Sequence, residues 1–181
     1  MSKKILIISA SPRKGGNSDL LCDEFLKGAV ENGNQVEKIT LADKDINYCI
    51  GCGLCSRNDY SGCFQKDDMQ ELLEKMIEAD VIVLASPVYF YTINAQMKTF
   101  IDRCCAKYTK IKNKDFYFII TAAEVNKAEM KRTFECFRGF LDCLENATEQ
   151  GQVCATGVWE RGEIKKTSYL NEAYNLGKSI N

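Results

Sequence analysis

Cys49, Cys52, Cys55 and Cys63 follow the spacing C-x2-C-x2-C-x7-C, with Asp67-Asp68-Met69 next. Spacings of two residues let a short loop wrap one small inorganic core, so four thiolates here could ligate a 4Fe–4S cluster. The first three spacings match those of bacterial ferredoxins, whereas the fourth is longer and has no proline after it. Tetrahedral zinc, which four cysteines would satisfy, is the second metal reading, and redox-active or free thiols are the third reading. The chain has no histidine. That excludes histidine-based triads, imidazole proton shuttles and His-ligated metals.

A second stretch suited to chemistry is Ser9-Ala10-Ser11-Pro12-Arg13-Lys14-Gly15-Gly16-Asn17-Ser18. A phosphate is bound by backbone N–H groups at a helix N-terminus, by hydroxyl donors and by a cation. Ser11, Asn17 and Ser18 offer side-chain donors, Arg13 a guanidinium, and Gly15-Gly16 a backbone that can approach closely. The stretch is neither a Walker sequence nor G-x-G-x-x-G. The plainer reading is a strand–helix turn in which Asn17 or Ser18 only caps the helix. The third stretch, Ser86-Pro87-Val88-Tyr89-Phe90-Tyr91, sets three aromatics directly after an apolar run. Such residues can wall a planar heterocycle or pack beneath the next helix.

The elements that must position these stretches alternate along the chain. Strands are predicted at 5–9, 35–41, 81–85, 116–122 and 152–158, and helices at 17–32, 67–79, 95–106, 129–146 and 169–180. Near-continuous apolar strands separated by helices imply a parallel sheet covered on both faces, in a doubly wound three-layer α/β domain. With five strands in the order 2-1-3-4-5, the first and third flank the switch point, beyond whose carboxyl ends ligands bind. Both prolines of the chain lie there, in Ser11-Pro12 and Ser86-Pro87. Each pair is expected to end its strand and shape a turn. The long interval from about 42 to 66 is irregular and carries the four cysteines. A receiver domain would need acidic residues after the first strand and a phosphoacceptor aspartate after the third. A low-molecular-weight phosphatase would need a cysteine opening the first loop. Neither set is present.

The paired motifs I-S-A-S-P-R-K-G-G-N-S and A-S-P-V-Y-F-Y-T-I-N-A-Q-M-K-T-F-I-D-R closely resemble the NADPH-dependent FMN reductase family of the flavodoxin superfamily, across nearly the whole chain. The cysteine run is similar to that of the iron–sulfur flavoprotein branch. The resemblance implies a flavodoxin-like domain over residues 1–181. In it Ser11, Arg13, Asn17 and Ser18 hold the FMN phosphate, and Pro87, Val88, Tyr89 and Phe90 lie along the ring. Thr121 and Ala122, in Thr121-Ala122-Ala123-Glu124, make a third contact, although the glycine many relatives carry there is missing. It further implies NAD(P)H as co-substrate, a small-molecule or protein electron acceptor, and a homodimer or homotetramer. No proton-transfer residue is nominated, since FMN would carry the chemistry.

The bulk composition agrees with this. The 181 residues suffice for one domain with a real core, and the formal net charge of −1 gives no basic face for nucleic acid or anionic membrane. No apolar run is long enough to span a bilayer, and the start shows no cleavable signal, so a cytoplasmic protein is expected. Ten cysteines without an export signal speak against a disulfide framework. Cys22, Cys104, Cys105, Cys136, Cys143 and Cys154 fall inside predicted elements at positions suited to burial. The stripe Met130, Phe134, Phe137, Leu141, Leu144 suits either a core helix or a dimer seam. Lys110, Lys112 and Lys114 read as a solvated turn.

Overall fold

The computed structural model describes residues 2–57 and 62–181, so positions 58–61 of the cysteine-bearing interval lie outside the described residues. The chain runs β1 (Lys4–Ser9), α1 (Asn17–Glu31), β2 (Gln35–Thr40), α2 (Met69–Glu78), β3 (Val81–Tyr89), β4 (Thr92–Ile93), α3 (Ala95–Arg103), β5 (Lys114–Thr121), α4 (Lys131–Leu141), β6 (Ala147–Ala155) and α5 (Tyr169–Lys178), with short 3-10 turns between them. The principal strands are parallel in the order β2-β1-β3-β5-β6, which is the expected 2-1-3-4-5. A sixth strand, the two-residue β4, pairs antiparallel with the end of β3.

Alternation along the central strands feeds two cores. Leu6, Ile8, Ile82, Leu84, Phe116, Phe118 and Ile120 face α2, α3 and α4. Ile5, Ile7, Val81, Val83, Tyr117 and Ile119 face α1 and α5. This is the doubly wound, three-layer arrangement of the flavodoxin-like fold. The α1–α5 crossing is close enough that a Cβ on Gly28 would stand 2.0 Å from the Tyr174 carbonyl oxygen, and one on Gly177 2.1 Å from that of Phe25. Met130, Phe134, Phe137, Leu141 and Leu144 are all buried under the sheet, so the stripe is core and not a seam.

Several sequence expectations need correction. Ser86-Pro87 does not end β3; the strand runs through Pro87, paired with Thr121, to Tyr89. Pairing of β3 with β1 stops at Ala85, so Pro87 sits where β3 has become an edge on that side and tolerates the missing N–H. α3 and α4 are shorter than their apolar patterns, and Cys104–Ala106 continues α3 as a 3-10 turn. β6 begins at Ala147, because its first half is a polar, half-solvated edge that lacks a strand's apolar signature. Among the six remaining cysteines Cys22 and Cys104 are buried, but Cys105 and Cys143 are exposed. Burial pushes the Cys22 thiol up to about 12, which keeps it protonated and inert. Lys114 is no turn residue: it starts β5 and its Nζ donates to the Ile77 carbonyl oxygen at 2.7 Å.

Candidate functional site

β1, β3 and β5 end at one rim, and there a cavity of about 480 Å³ opens. Ser11, Arg13, Asn17 and Ser18 line it from the first bend. Pro87, Val88, Tyr89 and Phe90 line it from the second. Thr121, Ala123, Val158 and Trp159 complete the lining. The volume lies within the usual range for small-molecule sites.

The two bends are tied together beneath the cavity. The N–H of Ala10 donates to the Ala85 carbonyl oxygen at 2.9 Å. Asn94, 1 % exposed, donates from Nδ2 to the Ala10 carbonyl oxygen at 2.6 Å and caps α3 by accepting from Met97 N at 3.2 Å. Its own N–H donates to Ser86 Oγ at 3.0 Å. Ser18 and Thr121 share a buried hydroxyl contact of 2.6 Å, which joins α1 to β5.

At the first bend the Ser11 hydroxyl accepts from Arg13 N at 3.2 Å, and Asp19 accepts from Gly15 N at 2.8 Å. Gly16 is the N-cap of α1, with no side chain capping the helix. A Cβ on Gly16 would stand 2.8 Å from the Arg13 carbonyl oxygen and 3.4 Å from Ser11 Oγ, so the cradle is closed to any larger residue without a shift. Backbone N–H groups at a helix start, left uncapped by side chains, make an anion seat. The side chain of Asn17 is engaged elsewhere: Nδ2 donates to the Glu160 carbonyl oxygen and Oδ1 accepts from Ile164 N. Arg13 Nη1 likewise donates to the Trp159 carbonyl oxygen at 3.2 Å. The bend is thus stapled to the segment that follows β6.

The second bend is a tight hairpin whose central residues, Phe90 and Tyr91, hold φ of +50° and +63°. Such two-residue loops favour Asn-Gly, so two aromatics here store backbone strain. Thr133 Oγ1 donates to the Tyr91 carbonyl oxygen at 2.9 Å, and the Tyr91 hydroxyl donates to Glu124 Oε2 at 3.2 Å. These bonds hold the hairpin against α4 and against the loop after β5. Phe90 is fully exposed at the rim.

Ala122 does not line the cavity. Its side chain is buried in the α2–α4 core, its N–H donates to Ala155 and its carbonyl accepts from Val158. Residues 121 and 123, one to either side, reach the cavity instead. The sequence reading also missed Trp159, and Arg161, whose guanidinium a Cβ on Gly15 would meet at 3.2 Å. The available signal was the chain's one tryptophan, lying just beyond the last strand's carboxyl end.

The four motif cysteines line a second cavity, of about 170 Å³, together with Arg103 and Cys105 from the end of α3. Arg103 and Asp67 form a buried pair, with side chains 1 % and 0 % exposed and Nη1 2.6 Å from Oδ2. Burial alone would raise the Asp67 carboxyl, but the Arg103 hydrogen bond and the amides of Asn47 and Met69 hold it below the usual carboxylate range. Among the described residues no three His, Cys, Asp or Glu side chains stand close enough to hold one metal ion. A cluster's cysteines sit farther apart, around a cube. Thiol donors facing one cavity beside a buried cation suit that larger, anionic group.

The family model for NADPH-dependent FMN reductases matches residues 3–134. An iron–sulfur flavoprotein of Archaeoglobus fulgidus is 48% identical over 100 residues, 55% of this chain and 44% of that protein. One from Methanocaldococcus jannaschii is also 48% identical over 100 residues, 55% of this chain and 51% of that protein. The match thus spans about half the length of these curated relatives. Among solved structures, an NAD(P)H:quinone oxidoreductase from Methanothermobacter marburgensis superposes with a TM-score of 0.79 at 16% identity, covering 98% of this chain and 96% of that one. An azoreductase from Bacillus anthracis superposes at 0.75 and 19% identity, covering 99% and 100%. At such identities the superpositions speak to the fold.

Proposed function

This chain belongs to the NADPH-dependent FMN reductase family, and on that premise we propose that it binds FMN at the rim of β1, β3 and β5 and serves as an NAD(P)H-dependent oxidoreductase. The acceptor would be a quinone, a flavin, a nitro or azo compound, or a protein. Residues 1–181 are taken as one FMN-binding domain working in the cytoplasm.

The observation that carries this reading is the shared cavity: the uncapped start of α1 and the aromatic hairpin face the same 480 Å³. At one end, the backbone N–H groups that open α1 receive a phosphate, and the hydroxyls of Ser11 and Ser18 and the Arg13 guanidinium border it. At the other, Pro87, Val88 and Tyr89 form a wall against which a planar ring packs, with Trp159 opposite. Bound FMN supplies the hydride and electron chemistry, for which no enzyme base is required. Tyr89, Phe90, Tyr91, Val125 and Trp159 leave large apolar surface exposed around the opening. A patch of this kind suits an electron donor or acceptor, or a second subunit in a homodimer or homotetramer.

A second reading is favoured by the cysteine cavity and by the names of the relatives: an iron–sulfur flavoprotein that carries electrons between a protein partner and FMN. Cys49, Cys52, Cys55 and Cys63 would hold a 4Fe–4S cluster, supplying a one-electron relay. Anaerobic purification with assays for flavin, iron and sulfide, followed by reduction with NADPH, NADH or reduced ferredoxin, separates the two. Flavin without iron, bleached rapidly by a nicotinamide, supports the oxidoreductase. About four irons per chain, with fast reduction by ferredoxin alone, supports the carrier. A preparation that holds no flavin sinks both.

A further inference from the structure

We propose that Arg103 positions the cysteine loop and sets the reduction potential of the cluster bound there, as a buried cation that donates to the sulfur of Cys63. The proposal rests on the cluster reading above. Arg103 is 2 % exposed, at the end of α3, where charge is carried into the interior only if it is spent. It is spent on the loop. Nη1 donates to the carbonyl oxygen of Asn47, two residues before the first cysteine, at 2.6 Å. Nη2 reaches Sγ of Cys63, the last cysteine, at 3.5 Å. The same two nitrogens fork onto the Asp67 carboxylate at 2.6 and 2.9 Å. One side chain therefore fixes both ends of the loop and its following helix start.

Nε remains. It is buried, has no hydrogen-bond partner, and belongs to a side chain that lines the cysteine cavity. A buried N–H without an acceptor is costly and rare. Cluster or cysteine sulfur is an acceptor that would satisfy it. Hydrogen bonds to sulfur and nearby charge are the protein's means of tuning such a group. Reduction adds one negative charge, and a buried guanidinium beside Cys63 favours that state. Asp67 opposes it from the other side of the fork. The two residues thus act on the potential with opposite signs, which a merely structural pair would not do.

The test uses the full chain, reconstituted anaerobically with ferrous iron and sulfide, as wild type, Arg103→Gln, Arg103→Lys and Asp67→Asn. Far-UV circular dichroism checks folding, iron and sulfide per chain report loading, and an EPR-monitored redox titration gives the midpoint. Arg103→Gln is expected to lower the reduced-to-oxidised ratio at fixed poise about tenfold, equivalent to about 59 mV for one electron. Arg103→Lys keeps the charge and loses the fork, so it falls less; Asp67→Asn moves the midpoint up. If Arg103→Gln yields no loaded protein, the opposed shifts of the other two decide. Loaded variants with an unchanged midpoint, or with shifts of one sign, overturn the proposal alone. A wild type that takes up neither iron nor sulfide removes the cluster reading, and this proposal with it.

Discussion

Asn94 Nδ2 lies 2.6 Å from the carbonyl oxygen of Ala10, a bond that ties the exit of β1 to the entry of α3 across the head of β3. The same carboxamide accepts from Met97 N and lies 3.1 Å from Ser86 Oγ, so one buried side chain sets the spacing between the two cavity-lining bends.

Asn94→Ala would leave the Ala10 carbonyl and the Met97 N–H without these partners. The expected loss is about 2–4 kcal/mol of stability, read as a lower urea midpoint at an unchanged slope. FMN retention should fall with it. A midpoint within error of wild type would mean that the bends are held by other means.

Gly16→Ala tests the anion seat with little change elsewhere. The φ of −75° at Gly16 suits alanine, so the cost is the 2.8 Å approach to Arg13, which forces the bend to move. FMN affinity is expected to weaken at least about tenfold, some 1.4 kcal/mol, by fluorescence titration. Unfolding should shift much less.

Gly28→Ala addresses the scaffold. Its Cβ would meet the Tyr174 carbonyl at 2.0 Å, and backbone cannot swing aside as a side chain does. Overpacking of this kind should cost about 3 kcal/mol, seen as a lower melting temperature. An unchanged melting temperature would contradict the close α1–α5 crossing.

Asp67 makes a pH prediction. Its carboxyl is held down in the folded state despite burial, by Arg103 and by two backbone amides. A depressed folded value contributes stability that is fully present above the unfolded value of about 3.9 and is lost as pH falls through the folded one. Asp67→Asn should therefore flatten the stability profile below about pH 4, while costing about 3–5 kcal/mol at neutral pH by stranding Arg103. A variant as stable as wild type at pH 7, with the same acid limb, would show that the ion pair is dispensable.

The sheet order was legible in the sequence because its central strands are apolar on both faces, as at 5–8 and 81–85, and alternate with amphipathic helices. Nine of the ten residues assigned to FMN line one cavity, since strand ends, Ser-Pro pairs and glycines are local signals. The Ala122 side chain turns into the core and not the cavity because neighbouring residues of an extended chain point oppositely, an alternation whose phase the sequence leaves open. The roles of Trp159, Arg161 and Arg103 were not legible for a different reason. Each reaches its place by a tertiary contact: Trp159 by a loop return over Arg13, Arg103 by a partner 36 residues away. β6 was read late because Thr148, Glu149 and Gln150 lie on a solvated edge, where no apolar pattern is required.

The direct test of the shared cavity is a titration of the flavin-free chain with FMN and, in parallel, with riboflavin, which has the ring but not the phosphate. One FMN per chain is expected, with riboflavin at least about tenfold weaker, the contribution of a single charge-assisted anion contact. Equal affinity for the two would remove the anion seat at Gly16, and binding of neither would contradict the account as a whole.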